Sequence, residues 1–172
     1  MLQAARMSIP EMTALMLKIP DYRDYRTTSE AAAKEREYRH ALGLMLKDCG
    51  EYLLSIAEKK SQFLSSEMES MIDGLVDRIG VIFRRLDREG LVCLVGDHDT
   101  TIGELEGLDV RLIILIEEAL TLVHRLETGV PASSWFKTEA AILSQDLAAF
   151  SEVTEERNYL LGLGWESEFT PR

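Results

Sequence analysis

Residues 38–56, YRHALGLMLKDCGEYLLSI, carry an apolar stripe that decides the fold. Apolar side chains recur at alternating spacings of four and three residues, which places them along one face of an α-helix. When this alternation continues over several turns, it is typical of helices that pack side by side in a bundle or coiled coil. The stripe continues beyond the quoted segment and consists of Tyr38, Leu42, Met45, Cys49, Tyr52, Ile56 and Phe63.

The stripe slips out of register after Phe63 and resumes as Met68, Ile72, Leu75, Ile79, Ile82 and Leu86. The slip indicates either a new helix or one long helix with a stutter. Ser66-Glu-Met-Glu69 matches a capping box, in which a hydroxyl and a carboxylate satisfy the amides of the first helical turn. We therefore favour a break, with a second helix beginning at Ser66. Gly90 is expected to stop that helix.

Two further stripes predict two more helices. The first is interrupted only by Asp109 and is followed by Gly129 and Pro131, which end helices. The second follows Ser133 or Ser134 and stops at Gly162 and Gly164. The first stripe comprises Ile102, Leu105, Leu112, Ile116, Ala119, Val123 and Leu126, and the second comprises Phe136, Ala140, Leu143, Leu147 and Phe150.

These patterns predict an all-α fold, an elongated helical bundle of four main helices plus a short N-terminal helix. The short helix follows from Ile9, Met12, Met16 and Ile19, and a polar link over 20–28, expected to be irregular, separates it from the bundle. We treat residues 1–172 as a single helical domain. Its N-terminal arm covers about residues 1–28 and its C-terminal tail about residues 162–172.

Composition narrows the classes of function. The formal net charge of −11 disfavours nucleic-acid binding, which needs a concentrated basic face. No stretch approaches the roughly 20 apolar residues that a membrane span requires. The N-terminus lacks the charged start and apolar run of a signal peptide. Cys49 and Cys93 share no motif, and Cys93 lies in an apolar run where a buried free thiol is expected. Together these features predict a cytoplasmic protein.

The densest group of polar side chains lies in the stretch Val95–Gly107, which contains Asp97, His98 and Asp99. Calcium loops need a glycine at the sixth position and a glutamate at the twelfth. Counted from Asp97, these positions are Ile102 and Leu108, so the calcium pattern fails.

A structural interpretation accounts for more of this stretch. Gly96, Asp97 and Asp99 favour turns, and Thr101-Ile-Gly-Glu104 matches a second capping box. A short hairpin that pairs 91–95 with 100–105 is the alternative local structure.

His40 carries the remaining chemical possibilities. With Glu37 it matches Glu-x-x-His, which places two metal ligands on one helix face, but the second copy that a di-iron bundle requires is absent. His40-Ala-Leu42 also resembles the start of the histidine phosphotransfer signature His-x-Leu-Lys-Gly. Gly43 and Leu44 stand where that family has lysine and glycine. No cofactor is expected, and we expect no enzyme of ordinary type.

Two surfaces favour protein binding. The arm presents Met12 and Met16, whose flexible side chains adapt to irregular partner surfaces. The alternative, which we favour for this short helix, is that it packs on its own bundle. The tail presents Leu163, Trp165 and Phe169, and exposed aromatic side chains often anchor partners. The alternative for the tail is that it folds back onto the bundle.

The predicted function is therefore a non-catalytic protein-binding module, an adaptor or a small export-type chaperone. In size, acidity and helix content the chain is similar to the acidic helical secretion chaperones, including the flagellar ones. Its acidity is compatible with a basic partner. The long apolar stripe favours a homodimer. The alternative is a phosphotransfer or metal-binding bundle that uses His40.

Overall fold

The computed structural model describes residues 14–26, 29–88, 90, 92–129 and 132–164. Within these ranges the fold is an all-α bundle, as the stripes predict. Residues 14–16 form a helical turn, and a short 3-10 helix spans Tyr22–Arg26. Four long helices follow, which we number α1 (Ser29–Lys59), α2 (Ser66–Leu86), α3 (His98–Thr128) and α4 (Ser133–Leu160).

Helix α1 buries the stripe that predicts it. Tyr38, Leu42, Cys49 and Ile56 are all buried, whereas Phe63 is 61% exposed, so the buried face ends with the helix. Gly43 lies where α1 and α2 approach closely, because a Cβ there would come within 3.2 Å of the Phe83 ring. The glycine thus costs helix propensity but allows close packing.

The predicted break between α1 and α2 is confirmed. The N-cap of α2 lies one residue before the predicted one. A short 3-10 helix at Ser61–Phe63 separates the two helices. Ser65 is the N-cap, and its side chain accepts a hydrogen bond from the Met68 amide at 3.3 Å. Helix α2 begins at Ser66 as predicted, but the predicted capping role of Ser66 was wrong, because Ser66 is already in the first helical turn.

The four helices form a ring in the order α1, α2, α4, α3. Contacts along their lengths fix the directions. Gly43 of α1 lies against Phe83 of α2 and Gly50 lies against Ile79, so these two helices are antiparallel. The rings of Tyr52 in α1 and His124 in α3 have their centroids 4.7 Å apart, and Lys59 Nζ lies 3.5 Å from Glu127 Oε1 one to two turns further along, so α1 and α3 are parallel. Helices α2 and α3 therefore stand at opposite corners, and their connection crosses one end of the bundle.

That connection is held by the end of α4. The Cys93 amide donates to the Leu161 carbonyl and the Val95 amide donates to the Leu160 carbonyl, both at 3.0 Å. The predicted hairpin is wrong, since residues 100–105 belong to α3. Cys93 is exposed rather than buried, because its backbone and not its thiol faces the bundle.

The described part of the polar link, residues 20–26, is folded rather than irregular. Tyr22 and Tyr25 are 2% and 3% exposed, and Leu15 ahead of them is also buried. The two rings meet edge to face with their centroids 5.0 Å apart. The link therefore closes the end of the bundle at which α1 begins and α4 ends.

Candidate functional site

A group of buried charges lies at this closed end of the bundle. Arg157 of α4 is 1% exposed, and its Nε donates to Asp109 Oδ1 of α3 at 2.8 Å. Its Nη2 donates to Glu35 Oε2 of α1 at 3.0 Å, and its Nη1 donates to the other oxygen of the same carboxylate. One guanidinium therefore joins three helices.

Arg39 of α1 completes this group. Its Nε donates to Glu35 Oε1 at 2.8 Å, one helical turn away. Its Nη1 lies 3.3 Å from the Leu86 carbonyl at the end of α2, and its Nη2 donates to Asn158 Oδ1. We call Glu35, Arg39, Asp109 and Arg157 the charge cluster. Two cations balance two anions, which is the condition under which buried charges are tolerated.

Tyrosines surround the charge cluster. The Tyr22 hydroxyl donates to Asp109 Oδ2 and accepts from Arg157 Nη2 at 2.9 Å, and the Tyr25 hydroxyl donates to Glu35 Oε2 at 2.7 Å. The Tyr38 ring lies 4.9 Å from the Arg157 guanidinium carbon, a cation–π distance. The N-terminal link is therefore bonded to the carboxylates of α1 and α3.

Glu35 and Arg157 keep each other ionised at neutral pH. Burial alone would raise the pKa of Glu35, but the charge and hydrogen bonds of Arg157, with the charge of Arg39, lower that pKa from 4.5 to about 2. Burial also opposes the charge of Arg157, and Glu35 and Asp109 outweigh it and raise the pKa of Arg157. Burial raises the pKa of Tyr22 and Tyr25. These properties suit a structural anchor rather than proton transfer at neutral pH.

A groove of about 490 Å³ runs beside the charge cluster, between α1 and α2. One wall is α1 from Ala32 to Gly43, and the other is the end of α2 from Phe83 to Arg88. Gly90, Val92 and Leu163 close its upper end. We call this feature the α1–α2 groove.

The α1–α2 groove combines apolar surface with cationic side chains. Leu86 and Leu163 are buried in its walls, and Phe83 is 43% exposed. Arg36 and His40 are exposed along its α1 wall, and the Arg88 guanidinium closes its upper end. Its exposed acids are Glu37, which is engaged by Lys18 at 2.7 Å, and Asp87. Three arginines and three carboxylates line the groove, so its charge is close to balanced on a chain whose net charge is −11.

The structure places some of the predicted site residues together. Glu37 and His40 both line the α1–α2 groove. Leu163 lines it too and is only 5% exposed. Met16 is 57% exposed and does not line the groove. Met12, Trp165 and Phe169 lie outside the described residues.

The residues at 97–99 begin α3. Asp97 is the N-cap, and its Oδ2 accepts from the Thr100 amide at 3.1 Å, so the predicted cap at Thr101 was wrong. His98 Nδ1 lies 3.7 Å from Asp99 Oδ1. Among the residues that the structure describes, no group of three or more histidines, cysteines, aspartates or glutamates is placed to hold a metal ion.

The charge cluster was missed at the sequence level, although one signal for it exists. Asp109 is the polar residue within the α3 stripe, and it is 1% exposed. A carboxylate on a core face requires a buried cation, which directs attention to the arginines of the other helices. The spacing of Glu35 and Arg39 is common on solvated helices, so it does not distinguish a buried pair.

Comparisons with protein-family models, with curated proteins and with solved structures found no match to this chain. Within the described ranges, no helix has the length and apolar character needed to cross a membrane.

Proposed function

We propose that this protein is a non-catalytic protein-binding module whose binding site is the α1–α2 groove. The observation that supports it is the groove's combination of an apolar lining with Arg36 and His40 at its edge. This chemistry suits a short partner segment that carries large apolar side chains next to acidic ones. An adaptor and an export-type chaperone both use such a site.

The charge cluster makes the groove suitable for this role because it fixes both walls. Glu35 and Arg39 belong to the α1 wall, and Arg39 reaches the carbonyls of Arg85 and Leu86 at the end of the α2 wall, at 3.4 and 3.3 Å. A site that is already shaped before binding loses less conformational entropy when it is occupied. The buried ion pairs therefore support recognition in this proposal, because they hold the α1 wall and the α2 wall of the groove at a fixed separation.

The acidic remainder of the surface has a separate role in this proposal. A net charge of −11 attracts basic proteins over long range and speeds their encounter. The groove itself favours an apolar segment that carries a carboxylate for Arg36. A partner that is basic overall and carries one acidic, aromatic motif satisfies both requirements.

The test is a screen of displayed peptides against the folded protein, followed by measured affinities for two charge-reversal variants. Arg36→Glu/His40→Glu changes the groove, and Arg78→Glu changes an exposed arginine of α2 outside it. Acidic, aromatic peptides should bind the wild type and Arg78→Glu and lose at least tenfold in affinity for the groove variant. Selected peptides with no such composition, or equal affinities for all three proteins, would refute the proposal.

The second candidate function is phosphotransfer through His40. It is favoured by the exposure of His40 on a helix of a four-helix bundle, where a donor protein can reach the imidazole. Labelled acetyl phosphate or a histidine kinase with its receiver should then phosphorylate the wild type but not His40→Gln. His124→Gln, which removes a histidine from α3, is the matched control and should be labelled like the wild type.

Homodimer formation and cytoplasmic location remain part of the proposal. Light scattering should give a mass of about twice 19.4 kDa for a dimer. A mass of 19.4 kDa at high concentration would remove the homodimer and leave the groove proposal unchanged.

A further inference from the structure

The last residue that the structure describes, Gly164, lies beside the α1–α2 groove. Leu163 lines the groove, and the Gly164 carbonyl accepts a hydrogen bond from Arg88 Nη1 at 2.7 Å. Gly90 lies against this end of the chain, because a Cβ on Gly90 would come within 3.1 Å of a Leu163 methyl group. Residue 165 therefore continues from a point that is fixed at the upper end of the groove.

The sequence that follows has the chemistry that the groove favours. Residues 165–169 read WESEF, so two aromatic side chains flank a Glu-Ser-Glu stretch. The aromatic rings match the apolar lining at Phe83 and Leu86. The Arg36 guanidinium, exposed along the α1 wall, can pair with one carboxylate, and the exposed His40 imidazole can donate a hydrogen bond to the other.

The length of this segment also matches the groove. From Ala32 to Gly43 the α1 wall is about 17 Å long at 1.5 Å per residue. An extended chain from Gly164 to Phe169 also spans about 17 Å at roughly 3.3 Å per residue. The segment therefore reaches from Arg88 at the upper end to the contact between Gly43 and Phe83 at the lower end.

We propose that residues 165–169 dock in the α1–α2 groove of their own chain. The docked segment would compete with a partner for the same groove and so regulate partner binding. This regulatory role rests on the proposed function. The docking itself does not depend on a partner. The chain thus carries its own occupant, and this occupant defines the kind of segment that a partner must present.

The attachment at Gly164 makes a weak contact sufficient. A short tether provides an effective concentration in the millimolar range. A segment that binds in trans with a Kd of about 1 mM is therefore docked about half of the time in cis. Half occupancy lowers the apparent affinity for a partner about twofold, and tighter docking lowers it in proportion to the free fraction.

The first experiment follows the fluorescence of Trp165. The chain has two tryptophans, and Trp135→Phe leaves Trp165 as the single one. Trp135 begins α4 at the other end of the bundle from the groove, and circular dichroism checks that the variant folds. Docking predicts blue-shifted emission that is protected from acrylamide.

Adding Arg36→Glu/His40→Glu in this background should shift the emission to the red and increase quenching. Adding Arg78→Glu should change neither. Emission typical of exposed tryptophan in the background variant, or emission that does not respond to the groove variant, would overturn the docking proposal.

The second experiment separates this inference from the proposed function. A labelled peptide of residues 165–172 should bind the full chain carrying Trp165→Ala/Phe169→Ala at least twofold more tightly than it binds the wild type. A partner peptide from the display screen should show the same gain. If partner peptides bind both proteins equally, the inference fails and the proposed function stands. If Trp165 is docked and no partner peptide is found, the proposed function fails and the docking stands.

Discussion

Arg157 and Glu35 are 122 residues apart in the chain and form a paired contact in which both guanidinium Nη atoms donate to one carboxylate. Arg157 is 1% exposed and Glu35 is 2% exposed. This ion pair connects the last helix to the first, and Asp109 of α3 holds the same guanidinium from another side. The closed end of the bundle is therefore organised around one cation.

Removing this cation should destabilise the fold strongly. Arg157→Met leaves Glu35 and Asp109 buried without their main partner, which should cost about 3–5 kcal/mol of unfolding free energy. Urea denaturation measures the change. Lys47→Met is the control, because Lys47 and Glu51 form an exposed pair whose loss should cost about 0.5 kcal/mol. Similar losses for both variants would contradict a central role for Arg157.

The pH dependence of stability should depend on Glu35. Its pKa of about 2 in the folded protein lies below the ordinary 4.5, so the ionised form contributes stability that is present above pH 4.5 and is lost as the pH falls towards 2. This contribution is roughly 3 kcal/mol from the size of the shift. The stability gap between wild type and Glu35→Gln should therefore narrow between pH 4.5 and 2.

Denaturation series at several pH values test this dependence. Glu58→Gln, at an exposed position of α1, should keep a constant and small difference from wild type over the same range. A gap for Glu35→Gln that does not change with pH would show that Glu35 is not a low-pKa carboxylate in the folded protein.

Two glycine-to-alanine substitutions should change the stability of the fold in opposite directions. Gly162 has φ +72°, and a Cβ there would clash with the Cys93 carbonyl oxygen. Gly162→Ala should cost about 2 kcal/mol or more, since it combines backbone strain with a clash. Gly103→Ala, in α3 where no described heavy atom lies within 4 Å of the new Cβ, should add about 0.5–1 kcal/mol of stability. Thermal unfolding of both variants measures these changes. A Gly162→Ala variant as stable as the wild type would contradict the close contact between Gly162 and the 92–95 connection.

The capping residue of α2 can be identified by a pair of alanine substitutions. Ser65→Ala removes the acceptor of the Met68 amide and should cost about 1 kcal/mol. Ser66→Ala lies within the first turn and should change stability by a few tenths of a kcal/mol. Chemical denaturation of the two variants is the measurement. A larger loss at Ser66 would restore the capping box predicted from sequence.

The bundle was predictable because its signals are local. Apolar residues at spacings of three and four residues specify which face of each helix is buried, independently of what packs there. The same holds for the stop at Gly162, since its positive φ is a backbone conformation that glycine adopts without a Cβ penalty. The helices, their count and most of their buried faces therefore follow from the order of residues alone.

The charge cluster and the α1–α2 groove depend on distant parts of the chain. Glu35 and Arg39 have the spacing of an ordinary surface pair, and burial against Arg157 makes them different. Tyr22 and Tyr25 are in a link that appears polar, and their hydroxyls meet carboxylates supplied by α3 and α1. The groove exists because the end of α2, the connection after it and the end of α4 converge beside α1. The periodicity of apolar residues describes one helix at a time. The pairing of buried charges arises only when the four helices are brought together, so the structure of this end of the bundle is a consequence of packing.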